Sequence, residues 1–96
     1  MNYTVVWLKA AQDHLADTWV AAPDKAAVTS AANLIDAILK HSPFAYSRPR
    51  SGGDRVIYVS PLGVAFTVST ADRMVTVWEV WRTSLFGAST NGQNRS

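Results

Sequence analysis

Two periods of hydrophobic residues divide this chain. In the second half, Val64, Phe66 and Val68 alternate with Ala65, Thr67 and Ser69, the period of a strand with one packed face. Residues 56–59 before them and 74–81 after them are rich in β-branched and aromatic side chains, as strands are. Ser60-Pro61-Leu62-Gly63 and Thr70-Ala71-Asp72-Arg73 separate the three runs as turns. Connections this short exclude parallel crossovers, so the pattern predicts an antiparallel meander. Its last run has an irregularity. Val75 and Val77 share a face, but Val80 is offset by three. Either Trp78 and Val80 pack against the opposite face, or a β-bulge near Trp78-Glu79 resets the register.

The first half opens with a short β-rich run at residues 3–8 and then changes period. Leu8, Ala11, Leu15, Trp19 and Ala22 recur at three and four, which predicts an amphipathic helix over 9–22, with Gln12, Asp13, Ala16 and Asp17 on its other side. Pro23 ends it, because the residue before proline is driven from helical geometry. Asp24 is placed to cap a second helix over 25–40, with Val28, Ala31, Ala32, Ile35, Ile38 and Leu39 as its stripe. Lys40 and His41 suit the negative end of its dipole, and Ser42-Pro43 stops it. Small alanines in both helices predict a tight antiparallel hairpin lying across the meander. The expected fold class is α+β: an N-terminal strand and a helical hairpin packed on a mainly antiparallel sheet. Residues 44–54 read as a loop. The single domain is expected over 1–86, followed by a flexible polar tail at 87–96 with little to bury.

Composition adds bounds. The 96 residues include no cysteine, which excludes a disulfide framework and a thiolate zinc site. No apolar run approaches the roughly 20 residues needed to span a bilayer, and the start of the chain does not read as a signal peptide. The expectation is a cytoplasmic protein with no membrane partner. The net charge of +2 is unevenly spread. Residues 1–39 carry Lys9 and Lys25 against Asp13, Asp17, Asp24 and Asp36. Residues 40–96 carry Lys40 and six arginines against Asp54, Asp72 and Glu79. A basic half made mostly of arginine suits an anionic partner, since the guanidinium fork recognises phosphate bidentately.

Familiar catalytic signatures are absent: there is no phosphate-cradling glycine loop, no histidine pair at metal spacing and no serine elbow. No metal or cofactor is called for. His14 reads as a solvated helix residue and His41 as a helix C-terminal cation. The chain nevertheless resembles the RelE/ParE superfamily of small toxins from toxin–antitoxin modules. The resemblance spans residue 3 to about residue 82. It is carried by Trp7, Ala11, Leu15 and Trp19, by the alanine-rich second helix ending at Leu39 and Pro43, and by Arg55-Val56-Ile57-Tyr58. Pro61-Leu62-Gly63-Val64 and Val75-Thr76-Val77 with Val80 complete it.

That resemblance implies a cognate antitoxin and one of two targets, ribosome-bound mRNA or DNA gyrase. In RelE-like nucleases an arginine before the second strand's apolar run contacts the scissile phosphate, and Arg55 stands there. Attack by a 2′-hydroxyl on its own phosphate builds charge that a fixed guanidinium stabilises. Its structural alternative is a pairing with Asp54 or a helix carboxylate. Arg82 would assist at the end of the last strand, although an arginine is a poor general base. Arg48 and Arg50 would hold RNA, and Trp81 would stack on a base or bury against the helices. The family's terminal proton-transfer residues are missing here. The favoured expectation is a metal-independent endoribonuclease, followed by a non-enzymatic gyrase inhibitor and then by a fold that binds antitoxin without toxicity.

Overall fold

The computed structural model describes residues 2–83. In chain order these form β1 (Thr4–Trp7), α1 (Lys9–Ala21), α2 (Lys25–His41), β2 (Arg48–Pro49), β3 (Arg55–Val59), β4 (Leu62–Ser69) and β5 (Met74–Arg82). A 3-10 turn at Ser51–Gly53 joins β2 to β3, using Gly52 and Gly53 at φ of 79° and 83°, where a Cβ would be strained. The strands make one sheet in the order β1-β5-β4-β3-β2. β3, β4 and β5 are the antiparallel meander. β1 joins it from outside, parallel to β5, after a connection that runs through both helices and then β2, β3 and β4. The α+β architecture is the one the hydrophobic pattern predicts.

One face of the sheet is dry. Ile57, Leu62, Val64, Phe66, Val75, Val77 and Val80 pack there against Ala11, Val28, Ala31, Ile35 and Leu39, none more than 3% exposed. Burying each of the larger side chains stabilises the fold by about 1.5–3 kcal/mol. The bulge explains how Val77 and Val80 share this face. Phe66 pairs with Val77 and Ala65 with Glu79, so Trp78 is the extra residue.

Four local expectations are corrected. Leu62 and Gly63 belong to β4 rather than to the turn. The expected 44–54 loop contains β2, which pairs antiparallel with β3. Asp24 stands at the N-cap of α2 but makes no capping hydrogen bond, because its carboxylate is turned to Arg82. The helices do not form a tight alanine hairpin. Ala10, Ala16, Ala26, Ala27 and Ala37 face solvent, and a groove opens between α1 and α2. The expected polar tail lies outside the described residues. The sheet's outer edge at β1 is capped at both ends: Tyr3 N donates to Lys40 O at 2.7 Å, and Gln12 Nε2 donates to Trp7 O at 2.7 Å. Occupying edge groups in this way blunts a template for strand addition.

Candidate nucleic-acid interface

Side chains alternate across the sheet, and this separates the five residues singled out from the sequence. Arg55 pairs with Phe66 and Arg82 with Leu62, so both share the helix face. Four residues along the strands and two strands across put their Cα atoms roughly 16 Å apart. Each guanidinium is engaged. Arg55 Nε donates to Ser47 Oγ at 2.7 Å and Nη2 to Ser47 O at 3.2 Å. Ser47 Oγ in turn donates to Pro43 O at 2.7 Å. The Arg55 guanidinium also lies 5.0 Å from the centroid of the Phe44 ring, within cation–π range. Arg55 therefore gathers the segment between α2 and β2. Arg82 Nη2 donates to Asp24 Oδ2 at 3.0 Å, while Nη1 stands 3.0 Å from Oδ1. That bond holds the Asp24 carboxyl below its ordinary pKa, against a smaller opposing effect of desolvation.

The opposite, open face carries the other three. Arg48 pairs with Val56, which pairs with Ala65, which pairs with Glu79. Beside this row runs a second one: Tyr58 and Trp81 both pair with Gly63, from either side. Their rings meet edge to face, centroids 6.0 Å apart and planes at 78°. Gly63 is required here by close approach. A Cβ on it would stand 2.6 Å from the Trp81 indole. At the far end the Arg50 guanidinium lies 5.5 Å from the centroid of Trp78, with Asp54 Oδ2 at 3.9 Å. Val56 and Ala65 are buried on this face although no helix of the described residues covers it. Trp78 Nε1 is buried there without a hydrogen-bond partner among the described residues.

Arg48, Arg50 and Trp81 thus share one face, with Arg48 and Trp81 three strands apart, while Arg55 and Arg82 lie on the other. Sequence reasoning missed Tyr58, Gly63 and Trp78. A strand's period shows which residues share a face of that strand, but the register that sets Tyr58 beside Trp81 is a long-range property.

A second feature is the groove between the helices. It has a volume of about 650 Å³ and is walled by Leu15, Trp19 and Val20 of α1 and by Val28 and Ala32 of α2, with Trp7 at one end. Trp19 is 42% and Val20 68% exposed, two large apolar side chains left open at consecutive positions of α1. His14 is exposed on α1, and His41 Nδ1 lies 3.1 Å from Asn2 Oδ1. Among the described residues no His, Asp and Glu cluster could hold a metal ion, and no helix is long and apolar enough to cross a membrane.

No protein-family model and no curated protein matches the sequence. Solved structures do match. The toxin–antitoxin complex RelBE2 of Mycobacterium tuberculosis superposes with a TM-score of 0.71 at 15% identity, over 85% of this chain and 99% of that one. A chromosomal ParDE toxin–antitoxin system of P. aeruginosa gives 0.66 at 17% identity, over 85% and 97%. The archaeal RelE–RelB complex of Pyrococcus horikoshii gives 0.64 at 15%, over 90% and 100%. A likeness at such low identity is one of fold, and the chain has the fold of the RelE/ParE toxin–antitoxin proteins.

Proposed function

We propose that this chain is the toxin of a toxin–antitoxin module and cuts ribosome-bound mRNA. The observation that carries the target is the open face, which bears Arg48, Arg50 and Trp81 and is covered by no helix of the described residues. In this reading the two arginines bind the RNA backbone and the face admits unpaired bases. In cleavage the message's own 2′-oxygen attacks the adjacent phosphorus and the P–O5′ bond breaks. This leaves a 2′,3′-cyclic phosphate and a 5′-hydroxyl, with the proton passing through water. A guanidinium stabilises the charge growing on the phosphate. On the open face that guanidinium belongs to Arg48 or Arg50, because Arg55 and Arg82 lie on the helix face, held by Ser47 and Asp24.

The partner is an antitoxin, as the RelBE2 and RelE–RelB structures are complexes of such pairs. An apolar segment of it occupies the groove between α1 and α2. A second reading, gyrase inhibition, draws support from the likeness to the ParDE system, and the missing proton-transfer residues weigh against the nuclease.

Induced expression decides between them. An RNA-cutting toxin arrests growth, leaves ribosome-associated messages cut and leaves DNA intact. Arg48→Ala with Arg50→Ala should abolish the cutting while the melting temperature holds. Gyrase-trapped DNA breaks with intact messages would establish the second reading instead.

A further inference from the structure

We infer that Tyr58 and Trp81 form a stacking site for one unpaired base of a single-stranded RNA, with Tyr58 as the platform. The inference rests on the RNA reading above and makes its contact specific. Three observations converge on it.

The first is the geometry of the pair. Rings at 78° with centroids 6.0 Å apart form a corner rather than a stack. The Trp81 indole lies against Gly63, so close that no Cβ fits between. In such a corner the edge of one ring meets the face of the other. If the Tyr58 edge meets Trp81, both faces of Tyr58 stay open. If the Trp81 edge meets Tyr58, one face stays open. Either way Tyr58, at 59% exposed, keeps an aromatic face for a ligand and Trp81 stands as the wall beside it.

The second is charge. Arg48 lies one strand across and two residues back from Tyr58, a Cα separation of about 8 Å. That is within reach of the phosphate attached to a base seated on the ring. Arg50 follows two residues farther along the same edge. Glu79, the one carboxylate in the five strands, lies on the opposite side of the same face, across from Ala65. An anionic backbone is therefore drawn along the β2–β3 side, and the base points inward to the corner.

The third is the occupant's shape. A duplex hides its bases and presents phosphates alone, so it can use Arg48 and Arg50 but not the corner. A single strand uses both, and aromatic stacking accepts any base.

The test measures binding of a fluorescein-labelled oligouridylate by anisotropy, beside the same oligomer with an abasic position and its duplex. Wild type should prefer the intact single strand. Tyr58→Leu should weaken that binding roughly 5- to 150-fold without changing its salt dependence. Tyr58→Phe should bind as wild type, because the ring and not the hydroxyl is used. Arg48→Ala should instead lower the slope of log affinity against log salt by about 0.7. Tyr58→Leu binding as tightly as wild type overturns the site, as does a wild type indifferent to the missing base or to the duplex. Base-dependent binding without any message cutting overturns the nuclease reading and leaves the site standing.

Discussion

Arg82 and Asp24 meet from 58 positions apart in sequence and tie the end of β5 to the turn between the helices. Both side chains are about a third exposed, so water and salt screen the pair. The sign of its pH dependence follows from Asp24, whose pKa the Arg82 hydrogen bond lowers. A depressed carboxyl contributes stability that is fully present above the unfolded value of about 3.9 and is lost as pH falls through the folded value. Asp24→Asn should therefore lower the melting temperature at pH 7, and the gap from wild type should close as the pH is taken below the ordinary carboxylate range. A gap unchanged at acid pH would remove the ion pair from the account. The same residue marks what sequence can and cannot give. Asp24 follows a proline before an apolar stripe, and the helix does begin after it. Its cap is lost to an arginine that no local pattern connects with it. Arg55 behaves alike: its position at the start of β3 was legible, but its attachment to Ser47 depends on how the segment after α2 returns.

Among the elements, α2 is the most fully written in the sequence. Val28, Ala31, Ile35 and Leu39 of the expected stripe are all buried, while Leu34 between them is 51% exposed, as a helix of 3.6 residues per turn requires. The bulge in β5 was legible for the same reason, since an offset of three between valines does not fit a period of two. β2 was not, because two residues carry no period. Gly63 was legible only as a turn former, next to Pro61. Its place inside β4 comes from Trp81, which lies where a side chain would be. Gly63→Ala should consequently cost about 1–3 kcal/mol as an overpacking substitution, read from urea denaturation. In a Trp81→Ala background the same change should cost little, and this coupling is what a merely conformational role for the glycine would lack.

The whole molecule presents two unlike surfaces, an apolar groove on the helices and an arginine-bearing aromatic face on the sheet. The sequence announced the charge division between the halves, and it announced the meander. It could not announce the groove, because alanines compatible with tight helix packing are equally compatible with exposure. The two surfaces lie on opposite layers, so they can be damaged separately. Val20→Asp, at a position 68% exposed, should leave the fold and the growth arrest intact while co-expressed antitoxin no longer rescues the cells. Rescue at wild-type strength would place the partner elsewhere. The order of the sheet also bears on when this protein comes into being. Thr4 pairs with Met74 and Trp7 with Val77, so the earliest strand translated waits for the latest before it has a neighbour. Contacts so distant in sequence form slowly. The open face, whose Trp81, Glu79 and Trp78 all belong to β5, is the last thing built. On the proposed reading, the interval before that strand docks is one in which an antitoxin already present can be waiting.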